Sequence, residues 1–473
     1  QGVSGIYLRT EEVLGGRIVS TMTTPLAVNY DSPNLPTPRT QLISNGTYSV
    51  MVTSAGSGAS MCGAPSDINR AESRWSVTRW REDVTRDNWG SYCYVRDVQS
   101  GTLWSTGYQP TARQPQSYEV TFTEERAVFK RLDAGIVTQT DIVVSPEDNA
   151  EVRCVTVTNR SSRVREIELT SYAEVVLATP AADAAHPAFS SLFIETEFVP
   201  EENSLIACRR PRSTKDPTIF AVHTIAVEGL TVGAVQYETS RQRFLGRGHD
   251  VSAPLAVIED RPLSNTVGTV LDPIFSLRQR VRLEPNQTAR ITFSTAVAFS
   301  REHILMLADK YHDANIFERV ERMAWTKAQI EMRHLNITPG EAHLFQRLAG
   351  RVLFSDSSLR PRSDVLMLNN QTQSELWKYG IGGDLPIVLV RIGQSDDIET
   401  VRRILRGHEY LRLKGLVIDL VILNDHPPSY LQTLQDEIRL LIRSTGLQTL
   451  EGQPGGVYLL RADTMSDQDK ILL

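Results

Sequence analysis

Cysteine is scarce in this 473-residue sequence: Cys62, Cys93, Cys154 and Cys208 are scattered, with no CxxC pair. That excludes a disulfide framework and a zinc knuckle, and it fits a reducing compartment with buried or idle thiols. Long apolar runs are missing too. The longest, Leu385–Val390 and Leu416–Leu423, are far too short to span a bilayer, and no signal peptide is visible. Basic charge is not in excess: 50 Lys and Arg face 56 Asp and Glu, a net charge of −6, which argues against a general nucleic-acid binder. The nine histidines form no HxxxH pair and no carboxylate set has ligand spacing, so no metal and no cofactor are expected. A GxSxG elbow is absent as well. With 29 Gly and 23 Pro the composition is that of an ordinary globular chain of two or three domains. There is no initiator Met, and the last residues, Ser466–Leu473, read as helix. The expectation is a piece of a longer polypeptide.

What is present falls into four stretches. Residues 1–40 read as an N-terminal extension ending in the proline-rich linker DSPNLPTPRT (Asp31–Thr40). Over 41–300 the texture is that of strands. YSVMVT (Tyr48–Thr53), YEVTF (Tyr118–Phe122), Ala150–Asn159, Glu166–Leu177 and ARITFSTAVAF (Ala289–Phe299) are rich in β-branched and aromatic residues and often alternate with period two. More than ten such runs without helical periods predict a large antiparallel β-sandwich. From 301 to 356 the period becomes helical, with Ile304, Leu307, Ala308, Tyr311, Ile316 and Val320 on one face. Residues 357–473 then alternate as strand (Leu385–Ile392), helix (Asp396–Arg412), strand (Leu416–Leu423), helix (Ser429–Ser444) and strand (Gly456–Arg461). That pattern predicts a small α/β segment with parallel strands. The fold class expected is therefore β-rich α+β.

Two constellations could carry chemistry. RWSVTRWREDVTRDNW (Arg74–Trp89), followed by LWSTGYQP (Leu103–Pro110), packs Trp, Arg and acids closely together. A flat indole stacks on the C–H face of a sugar, and Arg and Asp bind vicinal hydroxyls, so the mixture suits carbohydrate. The same residues could equally fasten a loop or a domain seam. Glu82, Asp83 and Asp87 raise the question of glycosidase carboxylates, but interleaving with Arg81 and Arg86 reads as ion pairing, which lowers a carboxyl pKa instead of raising it. The second constellation, LWKYGIGGDLPIVLVRI (Leu376–Ile392), has Gly380, Gly382 and Gly383 before Asp384. It is neither GxGxxG nor a Walker loop, and it reads as a tight turn braced by Asp384. His343 and His408 sit in predicted helices, where a satisfied, partly buried imidazole is the usual reason.

At these residues a family resemblance is clear. LISNGTYSVMVTSAGSG (Leu42–Gly58) and TRWREDVTRDNWGSYCYVRDVQSGTLWSTGYQP (Thr78–Pro110) resemble the N-terminal sandwich of the inverting disaccharide phosphorylases. Together with Glu168–Pro200, YETSRQRFLGRG (Tyr237–Gly248), Val270–Leu283 and Glu375–Ile392, they are still more similar to the copy of that domain inside cyclic β-1,2-glucan synthases. The resemblance implies a soluble, cytoplasmic-side section of an inner-membrane glycosyltransferase polypeptide. It implies β-1,2-glucan or an oligosaccharide and the neighbouring domains as partners, and leaves room for a homo-oligomer. It also makes Arg79, Trp80, Arg81, Glu82, Trp104 and Tyr108 the expected glucan-contacting or domain-docking residues. No stretch resembles the phosphorylase barrel that holds the general acid and phosphate site, so no catalytic residue can be placed on this numbering. The expected role is a non-catalytic scaffold; the alternative is a phosphorylase or hydrolase of β-1,2-glucan in its own right.

Overall fold

Strand after strand carries the alternation that a two-layer sheet structure requires. In Ser117–Phe122 the residues Tyr118, Val120 and Phe122 are buried while Ser117 and Glu119 are exposed. Arg126–Asp133 buries Ala127, Phe129 and Arg131 in the same rhythm. Period-two patterning puts one set of side chains inward, and each of the two sheets supplies one wall of the core. The computed structural model describes residues 5–7, 27–63, 74–211, 213, 216–354, 356–426 and 433–473. These form a larger unit, from residues 27–63 and 74–330, and a smaller one, from residues 5–7 and 331–473.

The larger unit is the expected sandwich. One sheet has ten strands, running from Gly268–Thr269 at one edge through Ile194–Val199, Ser204–Arg209, Ile219–Glu228, Thr288–Ala298, Ala150–Asn159, Ile136–Val144, Arg126–Asp133 and Ser117–Phe122 to Val28–Tyr30. The second has nine, with the long strand Arg165–Ala178 at its centre. Both are antiparallel throughout, for example Glu151 opposite Thr295 and Leu169 opposite Gln279. Between them lies one continuous core that includes Tyr48, Val95, Trp104, Phe129, Phe275, Phe293 and Ile291. Helix Arg301–His312 covers the outer face of the ten-stranded sheet with Ile304, Leu307, Ala308 and Tyr311, packing on Val152, Val222 and Ala296.

Several charges in this sandwich are paired across neighbouring strands. Arg165 reaches Asp97 across neighbouring strands at 2.7 Å, both side chains nearly inaccessible. Glu168 accepts from Arg280 at 2.6 Å and lies 3.4 Å from Arg278, and Asp260 accepts from Arg280 and Arg96 at 2.7 and 3.0 Å. His223 stacks between Phe275 and Phe293, with Ser171 and Thr295 each 2.9 Å from a ring nitrogen.

The smaller unit is a four-stranded parallel sheet in the order Gly5–Tyr7, Ile387–Ile392, Asp419–Asn424, Val457–Arg461. The last three strands and the helices Ile398–Leu413 and Thr433–Ser444 match the predicted alternation. The pairing of Gly5–Tyr7 with Ile387–Leu389 is new. One helix ends at His334 and the next starts at Pro339. Pro339–Leu353 begins in a capping box, Thr338 accepting from the Glu341 amide and Glu341 accepting from Thr338. Its Phe345 packs on Tyr410, and a Cβ on Gly407 would come within 2.9 Å of that Phe345 ring, so only glycine lets the two helices approach this closely. His408 is buried as expected, its Nε2 3.1 Å from the Gly455 carbonyl, and burial pushes its pKa down to about 4. Among the described residues no helix is long and apolar enough to cross a membrane.

Candidate functional site

The strand Trp75–Thr78 delivers Arg79 to the outer end of Arg165–Ala178, where the Arg79 amide donates to the Glu174 carbonyl at 3.2 Å. The register of that pairing shifts between Val175 and Ala178, a bulge that turns the chain off the sheet. Beyond it Thr179 caps the short helix Pro180–Ala185, which presents Asp183. Arg79 then bonds both acids: Glu174 at 2.9 Å and Asp183 at 3.0 Å, with all three side chains largely inaccessible. Arg81 reaches the other oxygen of Asp183 at 2.7 Å and its main-chain carbonyl at 3.0 Å.

Glu174 is shared further. It accepts from the Tyr172 hydroxyl at 3.0 Å and from Arg241 at 2.8 Å. Arg241 opens the helix Arg241–Leu245, inside the segment YETSRQRFLGRG. Burial lowers the Arg79 and Arg241 pKa values, but Asp183 and Glu174 beside Arg79, and Glu174 and Tyr172 beside Arg241, more than offset it, and both end raised. Three stretches distant in sequence thus meet in one ion-pair network, with Trp80 half-buried within the loop it fixes and Glu82 exposed at its end.

The hydrogen bonds of Asp83 and Asp87 come from hydroxyls and main-chain amides and not from the interleaved guanidinium groups, although the Arg86 charge adds a little to the lowering at Asp83. Asp83 instead accepts from Thr85 and from the Arg86 amide, closing a local turn, and the Thr85 hydroxyl leads in lowering its pKa. Asp87 turns inward at φ +44°. Its carboxylate takes the Thr53 hydroxyl at 2.7 Å and also the Ser57 hydroxyl. Burial, with a smaller push from Asp83, raises it to about 6. The reason lies in the backbone. Gly58, at φ +151° with the Met51 carbonyl 1.9 Å from where a Cβ would be, lets the Thr53–Gly58 turn close under Trp89 and Gly90, and that turn supplies hydroxyls where the sequence offered guanidinium groups.

The six expected residues therefore part company. Arg79 and Arg81 converge on Asp183, with Trp80 and Glu82 on the same loop. Trp104 is fully buried in the sandwich core and its indole N–H has no hydrogen-bond partner, so it supports the fold from within. Tyr108 is half-buried against that core. Sequence reasoning missed Asp183, Glu174 and Arg241. The signal available was an acid in a Thr-Pro-capped, alanine-rich stretch, which names no partner by itself. In the smaller unit the glycine loop is a braced turn: Gln373 and the Trp377 indole both donate to the Gly382 carbonyl, and Gln373 also to Asp384. Among the described residues no three His, Cys, Asp or Glu side chains are grouped to hold a metal.

The chain is 34% identical over 433 residues to the cyclic β-(1,2)-glucan synthase NdvB of Rhizobium meliloti (strain 1021), which covers 91% of this chain and 15% of that protein. It is 27% identical over 283 residues to the N,N'-diacetylchitobiose phosphorylase of Vibrio furnissii, 59% of this chain and 33% of the relative. With the solabiose phosphorylase of Paenibacillus borealis it shares 27% over 208 residues, 43% of this chain and 25% of the relative. The chain thus spans a third or less of the length of each. Residues 24–314 match the family described as glycosyl hydrolase 94, supersandwich domain. With more than half of its residues in that match, the chain belongs to the glycosyl hydrolase 94 supersandwich family.

Proposed function

We propose that the chain is a non-catalytic section of a cyclic β-1,2-glucan synthase, in which the sandwich contacts glucan or holds neighbouring glycosyltransferase and phosphorylase segments in place. The observation that carries this reading is the network of Arg79, Arg81, Glu174, Asp183 and Arg241. It fixes the loop bearing Trp80 and Glu82, and a preorganised indole beside charged hydrogen-bonding groups suits a sugar ring. The acids in the network are occupied by arginine, which fits positioning better than proton transfer. In the parent polypeptide this section would lie on the cytoplasmic side of the inner membrane. Titration of the chain with linear β-1,2-glucan, with and without Trp80→Ala, tests the contact; no binding at millimolar glucan overturns it.

A phosphorylase or hydrolase acting alone is the second reading. Asp87, with its raised pKa beside the Arg79–Glu82 loop, favours it. Against it, both Asp87 oxygens are taken by Thr53 and Ser57. Incubation with β-1,2-oligosaccharide and phosphate separates the two: glucose 1-phosphate or shortened chains would establish the enzyme, and neither is expected.

A further inference from the structure

In the smaller unit the segment Gln373–Tyr379 lies on the parallel sheet with Leu376 turned inward, in the core with Ile387, Val421 and Tyr458. Its neighbour Trp377 faces the other way and is 64% exposed. This indole is held in place. Its N–H donates to the Gly382 carbonyl at 3.3 Å, and Gln373 donates to the same carbonyl at 2.8 Å and to Asp384 at 3.2 Å. Glycine makes the arrangement possible. At Gly383, φ +75°, a Cβ would come within 2.8 Å of the Gln373 side chain, so only glycine lets that amide lie across the loop. The adjacent Lys378 ammonium is drawn away to Asp469 at 2.6 Å and over the Tyr379 ring, and does not cover the indole.

The groups around and beneath the indole are polar. Gln373 and Asp384 are both exposed and share one hydrogen bond, which leaves the amide oxygen and a carboxylate oxygen as acceptors. Asp419, buried on the face of the sheet that carries Val421, accepts from the Gly455 amide at 2.7 Å. Burial, with a smaller push from the Asp384 charge, raises its pKa to about 6. Tyr458 is buried on the same face, and its hydroxyl has no hydrogen-bond partner. The Tyr458 Cε1 lies 3.8 Å from where a Cβ on Gly380 would be, and Gly380 is itself exposed. The unpartnered hydroxyl therefore belongs to the ring directly beneath the loop, a donor that a buried site normally satisfies. Two carboxylates with no free cation beside them give no attraction for phosphate or a nucleotide. An apolar peptide would cover the indole but leave the carboxylate and amide unpaired. A neutral sugar offers a C–H face to the one and hydroxyls to the others.

We infer that the Gln373–Asp384 loop of the smaller unit is a surface site for a short neutral glucan, with Trp377 stacked on a sugar face and Gln373 and Asp384 on its hydroxyls. The inference rests on the reading of the chain as a glucan-contacting section. Isothermal titration of the full chain with linear β-1,2-glucooligosaccharides tests it on wild type, Trp377→Ala, Trp377→Phe and Asp384→Asn, with Trp80→Ala run in parallel. Trp377→Ala and Asp384→Asn are each expected to weaken a saturable site by about tenfold, the worth of one stacked ring or one charge-assisted hydrogen bond. Trp377→Phe keeps a ring face and should lose less. In the wild type saturating sugar should also shield tryptophan fluorescence from acrylamide, an effect that Trp377→Phe removes. If Trp377→Ala loosens the loop, the near-isosteric Asp384→Asn and the fluorescence of Trp377→Phe decide. Binding unchanged in both Trp377→Ala and Asp384→Asn overturns the site. Binding lost only in Trp80→Ala overturns it as well, yet leaves the proposed function standing. Self-association of the chain that Trp377→Ala abolishes, with sugar binding unaffected, makes the face a protein contact and overturns the assignment to a sugar. An absence of any binding by the wild type overturns both this site and the glucan contact it rests on.

Discussion

Asp87→Asn should make the sandwich more stable at neutral pH, which is the reverse of what removing a hydrogen-bonded carboxylate usually does. Burial raises the Asp87 pKa from 3.8 to about 6 even though Thr53 and Ser57 bond the anion. A folded-state pKa above the unfolded one favours the protonated carboxyl. That stabilisation is fully present below pH 3.8 and is lost as pH rises through about 6. Two pKa units amount to about 3 kcal/mol at most at neutral pH. Asparagine has the protonated form's shape and no charge to desolvate. It also tolerates the left-handed backbone at φ +44°. Its carbonyl can accept from Thr53 while its amide donates to the Ser57 hydroxyl, which turns to receive it. After discounting for imperfect replacement, the variant should gain about 2 kcal/mol above pH 7 and almost nothing near pH 4. Urea unfolding followed by tryptophan fluorescence at several pH values between these limits measures the difference, because every other titrating group contributes equally to both proteins. A difference that stays flat with pH, or a variant less stable at pH 7, would refute the reasoning.

Other substitutions read other parts of the structure. Trp104→Ala should destabilise the sandwich by about 4 kcal/mol through the cavity it leaves, whereas Trp104→Phe should cost about half of that or less, since the indole N–H bonds nothing; equal losses in chemical denaturation would show that the N–H matters. Asp183→Ala strips Arg79 of one partner and Arg81 of its carboxylate. It should cost about 2–3 kcal/mol, less than a fully orphaned buried charge because Glu174 still holds Arg79, and an unchanged melting temperature would contradict the network. The His223 imidazole, driven down to about 3 by burial and then by Arg153, should show no titration in NMR spectra between about pH 8 and about pH 5, where an unperturbed histidine passes through its midpoint. A midpoint near the ordinary value would mean that the ring stack with Phe275 and Phe293 is open to water.

Much of the fold was legible because its signals are local. Ala150–Asn159 begins and ends where its β-branched alternation does, and the helix Arg301–His312 follows its apolar face. The strand Gly5–Tyr7 was not legible, because three residues carry no periodicity and their partner lies some 380 positions away. The candidate site divides along the same line. Arg79 and Arg81 stood out by composition, but their acids are about a hundred residues further on, at Glu174 and Asp183. Trp104 stood out for the wrong reason: a tryptophan beside turn residues is as good a core residue as a sugar platform, and only the opposing sheet decides which. Asp87 was misread because adjacency to Arg86 is not proximity of side chains, and the turn at Thr85 sends the two apart.

The paired charges inside the nine-stranded sheet have a consequence for which alternatives the chain can sample. Arg165 with Asp97, and Arg278 and Arg280 with Glu168, join neighbouring strands. If either strand slid by one position, every side chain would change faces. The arginines would then stand among aliphatic residues with their carboxylates on the far side, at several kcal/mol for each unpaired ion. Hydrophobic residues alone would not discriminate so sharply, since valine and isoleucine pack nearly as well one notch along. These ion pairs work as keys in a lock, rejecting mispaired sheets that apolar contacts would accept. Lysine would be a poor copy, because it lacks the planar fork that lets Arg280 hold Glu168 and Asp260 together.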